Sequence, residues 1–283
     1  MKIAVTGAAG HLGSTICEML IKEGMDDIIG IDVKENLSSV REKRKADLSI
    51  LDQAVESLKG AEVIIHCASI HPLYKYTHAQ YMDFNIKGTW NVYWAAKELG
   101  IKKIVLTSSI AATGSIFPPG TWPVTEDMQQ SPEDIYSYTK YCQEVTGKCF
   151  AKAHDIRTIA LRPCSFMQRE PLKQALTLLG NHMNVQDIAS AHIAVLKADI
   201  PSMFEAFFVT NKLPYTSKDS DIAHDPWLLA ERYFPGVKNW FTDRGYKSYY
   251  IGAVYSLGKA KKMLGWEPVR NFEWTWEEAK KHG

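Results

Sequence analysis

Short, wholly apolar runs separated by stretches of helical periodicity dominate the chain as far as Arg162. Lys2–Thr6 is a short β-rich run, and His11–Glu23 after it repeats its apolar positions at helical spacing. Asp27–Asp32 (DIIGID), Glu62–His66 (EVIIH), Lys103–Ser108 (KIVLTS) and Ile156–Arg162 predict further strands. Gln80–Leu99 and Pro132–His154 predict long helices between them. Strands that are apolar throughout are covered on both faces, and helices between successive strands make those strands parallel. The pattern therefore predicts an α/β chain built on a doubly wound parallel sheet over residues 1–162. It changes after Arg162. Asp187–Lys197 predicts a helix and Ala206–Thr210 a strand, while 211–283 is rich in Trp, Tyr and Pro with short helical pieces. Residues 163–283 are expected to form a small substrate-binding region packed on the first, not an independent domain.

A length of 283 residues with 46% hydrophobic content suits one large α/β domain or one with a small appendage. A formal charge of +1 offers no strong field for nucleic acid or an anionic membrane. The local basic run Arg41, Lys43, Arg44 and Lys45 reads as a solvated loop. Five cysteines, an odd number without CxxC spacing, argue against a disulfide framework or a zinc site and fit a reducing cytoplasm. The opening MKIAVTGAAG reads as a strand and a glycine turn, not a signal peptide. No apolar run approaches the roughly 18 residues of a membrane span.

The turn Val5-Thr6-Gly7-Ala8-Ala9-Gly10-His11-Leu12-Gly13 joins the first strand to the first helix. Gly7 permits a tight turn, Gly10 lets backbone approach a pyrophosphate, and Gly13 lets the helix pack closely. The helix N-terminus presents free N–H groups and a positive dipole end to phosphate. His11, inside the turn, either touches phosphate or is an exposed loop histidine. The spacing is GxxGxxG, and Asp32 ends the strand that follows the helix. A carboxylate there accepts hydrogen bonds from ribose hydroxyls and repels a 2′-phosphate, so NAD is expected over NADP.

Tyr136 and Lys140 lie four apart on one face of the Pro132–His154 helix, whereas Tyr138 points elsewhere. A phenol with a pKa near 10 is a poor base, and a neighbouring ammonium makes its phenolate accessible. Thr107-Ser108-Ser109 ends a strand, where ligands of open α/β sheets bind. A hydroxyl at that place either holds a substrate oxygen or caps the strand end.

Together these residues resemble the extended short-chain dehydrogenase/reductases, the NAD-dependent epimerase/dehydratase family, over most of the chain and most strongly as far as Ala198. Further matching signatures are Ala46-Asp47-Leu48, His66-Cys67-Ala68-Ser69, Asn85-Ile86-Lys87-Gly88-Thr89, Leu161-Arg162-Pro163, Asn184–Ala189 and Leu264-Gly265-Trp266-Glu267-Pro268. The resemblance implies a Rossmann-type fold with NAD bound by the glycine turn and Asp32. It adds Asp47 and Leu48 at adenine, Cys67, Ala68 and Ser69 along the cofactor, and Asn85, Lys140 and Pro163. Tyr136, Lys140 and Ser109 take the catalytic positions. The segment between Pro163 and Val185 is short, where nucleotide-sugar epimerases carry a long one. That shortening resembles the compact uronate dehydrogenases, which oxidise a free sugar acid at C1 to a lactone with NAD. In that comparison Ser165 falls on a substrate-contact serine and His71 in a substrate-contact loop. The carboxylate-binding arginine has no residue at its own position, and Arg169 stands nearby.

The expected function is thus NAD-dependent oxidation of a small sugar or sugar acid. The alternatives are a nucleotide-sugar 4-epimerase or dehydratase and, from another class, a non-catalytic NAD-binding regulator, which has no need of a Tyr-Lys pair. The histidines show no metal-ligand spacing, so no metal is expected. Cys67 and Cys164 read as packing residues. Trp90, Tyr93, Trp94 and Lys97 form a helical stripe for either the core or a homodimer contact of the kind this family often makes. The aromatics Trp227, Tyr233, Phe234, Trp240, Phe241, Tyr246, Tyr249 and Tyr250 form either a sugar-stacking wall or a small core.

Overall fold

A computed structural model describes residues 1–35, 40–114, 116–273 and 275–277. The last residues of the 163–283 region therefore lie outside the description. Seven parallel strands form one sheet in the order β3-β2-β1-β4-β5-β6-β7. They are β1 (Ile3–Thr6), β2 (Ile28–Asp32), β3 (Glu42–Lys45), β4 (Val63–His66), β5 (Lys103–Thr107), β6 (Arg157–Pro163) and β7 (Phe204–Val209). The helices are α1 (His11–Lys22), α2 (Leu51–Leu58), α3 (His78–Tyr81), α4 (Gly88–Leu99), α5 (Ile135–His154), α6 (Pro171–Thr177), α7 (Val185–Lys197), α8 (Pro226–Tyr233), α9 (Val237–Thr242) and α10 (Gly258–Leu264). α1 packs beside α7 on one face of the sheet, and α2, α4 and α5 cover the other. The order reverses between β1 and β4, which opens a crevice at their C-terminal ends.

Two departures from the sequence reading have physical causes. The basic run at 41–45 is not a loop: Glu42–Lys45 is the edge strand β3, paired with β2 from Ile29↔Glu42 to Asp32↔Lys45. Charged residues suit an exposed sheet edge. Arg44 also donates from Nη1 to the carbonyls of Ser57 at 3.0 Å and Lys59 at 2.8 Å, at the negative end of α2. The long helix expected from Gln80 starts at His78, where Thr77 and Gln80 form a capping box. It then widens into a π turn over Met82–Lys87 before α4. The stripe on α4, left open between core and dimer contact, divides. Tyr93 is buried with its hydroxyl 3.2 Å from Thr158 Oγ1, whereas Trp90 is 44% exposed.

Beyond Arg162, β7 extends the sheet and α7 completes a helix layer. Tyr215, Tyr255 and Trp266 join the main core, and other C-terminal aromatics gather into a satellite core. Trp227, Phe234, Phe241, Tyr249, Phe272 and Trp276 are buried there, with Tyr233, Trp240 and Tyr246 packed around them. The structure thus decides for a core over a wall at these positions, and of the eight C-terminal aromatics named from sequence only Tyr250 stays largely exposed. No helix of the described residues is long and apolar enough to cross a membrane.

Candidate active site

The glycine turn is a backbone cradle. Gly7 has φ +69, and a Cβ there would lie 2.8 Å from the Ala68 amide nitrogen. A Cβ on Gly13 would sit 2.2 Å from the Gly7 carbonyl oxygen, so the start of α1 packs on the turn itself. Gly10 is the N-cap of α1 and no side chain caps the helix, which leaves the amides of His11, Leu12 and Gly13 in the uncapped first turn. Leu12 puts its side chain in the core, and His11 stacks at 6.4 Å on Phe166. Asp32 accepts hydrogen bonds from the backbone N–H of Ala9 and of Lys34, both at 3.0 Å. This fixes its carboxylate beside the turn.

Other cofactor candidates follow the C-terminal ends of β3, β4 and β6. Asp47 accepts from the amide and hydroxyl of Ser49, and Leu48 is buried. Cys67, Ala68 and Ser69 follow β4; the Ala68 amide donates to Thr6 Oγ1 at 3.2 Å. Ser69 Oγ is buried with no partner. Pro163 ends β6. Asn85 is different: its side chain exchanges hydrogen bonds with the backbone of Ile70 at 2.8 and 3.2 Å and donates to Thr139 at 3.0 Å. It ties the loop after β4 to α5. A cradle that a Cβ would fill, an uncapped helix start and an orphaned hydroxyl fit a dinucleotide.

Asp134 caps α5 by accepting from the Ser137 amide at 2.7 Å, so Tyr136 stands in the first turn and Lys140 one turn later. Tyr136 is half-buried. Burial pushes its phenol above the ordinary tyrosine value, while a hydrogen bond from Ser109 lowers it. The Lys140 amine lies 5.8 Å from the Tyr136 ring centroid and donates to the Thr107 carbonyl at 3.0 Å. Burial brings its pKa down to about 8, opposed by nearby Cys67 and Glu144. His71 meets the Tyr136 ring edge-on at 5.0 Å. Burial, then the Lys140 charge, lowers the His71 pKa. Ser108 faces away: it donates to Glu144 Oε1 at 2.6 Å, and Glu144 is clamped by Arg162 through two 2.8 Å bonds. Adjacent serines on an extended strand end point to opposite sides, so only Ser109 reaches Tyr136.

Ser165 and Arg169 sit on the loop after β6 and gather around a residue that sequence reading passed over. His182 is buried, with Nδ1 3.2 Å from Ser165 Oγ and Nε2 without a partner. Burial, then the charge of Arg169, lowers its pKa to about 4. Arg169 Nε is also buried and unpartnered. A parallel bridge between Ser165 and His182 closes this loop on itself.

Fold, cradle and Tyr-Lys-Ser constellation together define a dinucleotide-dependent oxidoreductase of short-chain dehydrogenase type. A model of the NAD dependent epimerase/dehydratase family matches residues 3–179, and the chain belongs to that family, with NAD as its cofactor. A UDP-glucose 4-epimerase of Bacillus subtilis is 25% identical over 351 aligned positions, covering 100% of this chain and 98% of that protein. Set against the chain's 283 residues, that length leaves about 68 positions of the relative without a counterpart. Uronate dehydrogenase from Agrobacterium tumefaciens is similar in structure, with TM-score 0.72 and 20% identity over 100% of this chain and 89% of that one. UDP-N-acetylglucosamine 4-epimerase from Bacillus cereus has TM-score 0.71 and 21% identity over 100% of both chains. These structural likenesses establish the fold.

Proposed function

We propose that this enzyme oxidises the hydroxyl-bearing carbon of a small free sugar or sugar acid and passes the hydride to NAD without returning it. The observation that carries this reading is the compact loop after β6. It leaves the sheet at Pro163 and is back in a helix of the main layer by Val185, pinned by the Ser165–His182 bridge. Such a loop offers little chain with which to enclose a nucleotide. Tyr136, as phenolate, takes the proton of the substrate hydroxyl. Lys140 holds a positive charge beside it and stabilises that phenolate. Ser109, bonded to Tyr136, orients the substrate oxygen. NAD, when bound, supplies the hydride acceptor. His71 walls the site next to Tyr136, and Ser165 and Arg169 bind the substrate's far end, Arg169 meeting a carboxylate.

The second reading, a nucleotide-sugar 4-epimerase or dehydratase, is favoured by the full-length likeness to the Bacillus subtilis epimerase. The 163–283 segment serves in either case as the substrate-binding region. A homodimer through α4 and α5 in the cytoplasm completes the proposal; Trp90, Tyr138 and Val145, exposed on those helices by 44%, 45% and 42%, support that contact.

Steady-state assays with free aldoses and uronic acids test the substrate class. Arg169→Ala should raise KM for an acidic sugar by about 10–100-fold, the loss of a charge-assisted bond, and leave a neutral aldose unchanged. Equal KM values for both enzymes with every acid would remove Arg169 from the site.

A further inference from the structure

We propose that His192 is a positioning residue for the Tyr-Lys centre, acting through Thr107 on Lys140. The proposal rests on the reading of Lys140 as the partner of Tyr136, and nothing in the sequence motifs points to it, because His192 lies 85 positions from Thr107.

Hydrogen-bond directions along this buried chain follow from donor counting. His192 Nδ1 lies 2.8 Å from the Ile188 carbonyl oxygen, which can only accept, so Nδ1 carries the proton. Burial lowers the imidazole pKa to about 4. The ring is therefore neutral at ordinary pH, and Nε2 is a bare acceptor. Thr107 Oγ1 stands 2.9 Å from Nε2 and must donate its one proton there. The same oxygen lies 3.1 Å from Cys67 Sγ. The Thr107 hydroxyl thus faces His192 Nε2 and, as a second acceptor, Cys67 Sγ, and burial keeps that thiol protonated by raising its pKa to about 11. Ile188, His192, Thr107 and Cys67 thus form one connected buried chain.

Thr107 is the last residue of β5, and its carbonyl holds the Lys140 amine at 3.0 Å. The strand end is held from both sides, by α7 at the hydroxyl and by α5 at the carbonyl. A buried ammonium with three donors needs a fixed acceptor to keep its distance from the phenol. The titratable groups around it are Cys67, Glu144, His66, His71 and Tyr136. None of them is among the hydrogen bonds of its amine, which leaves the Thr107 carbonyl as the acceptor found there. His192 fixes that carbonyl by fixing the threonine that bears it.

Two substitutions separate this role from packing. His192→Asn keeps a donor near Ile188 but ends short of Thr107, whereas His192→Gln places an acceptor near the former Nε2. His192→Asn should lower kcat about tenfold, weaken NAD binding measured by tryptophan quenching, and move the apparent pKa of the kcat profile up by about half a unit or more as the ammonium loosens from the phenol. His192→Gln should recover kcat to within about threefold. Thr107→Val should reproduce the loss, and the double variant should be no worse than either single, since all break one link. Nitrogen-15 NMR of the imidazoles should show the Nδ1–H tautomer for His192 without titration between about pH 5 and 9. An unshifted pH profile in a folded His192→Asn enzyme, additive losses, or the Nε2–H tautomer would overturn the proposal. Should His192→Asn fail to fold, Thr107→Val and the NMR tautomer decide it. Undiminished turnover by Tyr136→Phe would instead bring down the reading of the site on which it rests.

Discussion

Tyr136 sits in an environment that by burial alone makes it a poorer base than free tyrosine. The proton-accepting role proposed for it draws on Ser109, on the Lys140 charge and on the positive end of α5, against the opposing charge of Asp134. Removing the hydroxyl removes the acceptor while leaving the ring that packs on His71. Tyr136→Phe should therefore lower kcat by about 10²–10⁴-fold with NAD affinity nearly intact, as fluorescence titration would show. A second expectation concerns acid. His66, His182 and His192 are held neutral by burial, with pKa values of about 3, 4 and 4 against 6.5 for a free ring. The unfolded chain takes up protons near pH 6.5 that the folded chain refuses, so stability is full above that pH and falls as pH drops toward 4. Each ring contributes about 1.4 kcal/mol per pH unit in that window. Thermal midpoints measured from pH 7.5 to 4.5 should fall steeply below pH 6.5; a flat profile would mean that these rings are solvated. Tyr136 and Lys140 were legible in the sequence because one helical turn fixes their relation. His66 and His192 were not, because their partners, Thr6, Thr89 and Thr107, stand far off along the chain and meet them only through the sheet order.

Among the elements, the strand–turn–helix unit at the N-terminus was the most legible, since glycines are required there for reasons local to the chain. Gly13 shows why. Its hydrogen faces the Gly7 carbonyl so closely that a methyl would meet backbone at 2.2 Å. Gly13→Ala should push α1 off the turn, cost about 1–3 kcal/mol of stability and weaken NAD binding at least about 100-fold through the displaced helix amides. Calorimetric titration with NAD measures this directly, and unchanged affinity would mean the turn can shift without cost. β3 was misread because its alternation is of charged residues with charged residues, and hydrophobic periodicity is silent on an edge that needs no apolar face. The π turn at Met82–Lys87 escaped for another reason. Its cause is tertiary: Asn85 turns inward to hold Ile70 and Thr139, and its carbonyl accepts from Gln143 at 3.0 Å.

The whole molecule joins an N-terminal part, readable from periodicity, to a C-terminal part that periodicity described poorly. The sheet continues past Arg162 into β7, yet the segment that follows builds its own small aromatic core. That core holds by packing among residues scattered from Ala175 to Trp276, a relation no local pattern carries. The exposed faces of α4 and α5 lead to an expectation at this scale. Light scattering coupled to size exclusion should find a dimer, and Trp90→Glu combined with Val145→Glu should yield a monomer by placing charge in a desolvated contact. A wild-type monomer would refute the proposed pairing.

The most direct test of the enzyme's proposed reaction is its stoichiometry. Purified protein is incubated with NAD and a free uronic acid or aldose, and NADH is counted against substrate consumed; parallel reactions contain UDP-, GDP- or dTDP-sugars. One NADH per molecule of free sugar oxidised, lost in Tyr136→Phe, is the predicted result. No net NADH from any free sugar, with an isomerised or dehydrated nucleotide sugar as product, would contradict it and show that the short loop after β6 still accommodates a nucleotide.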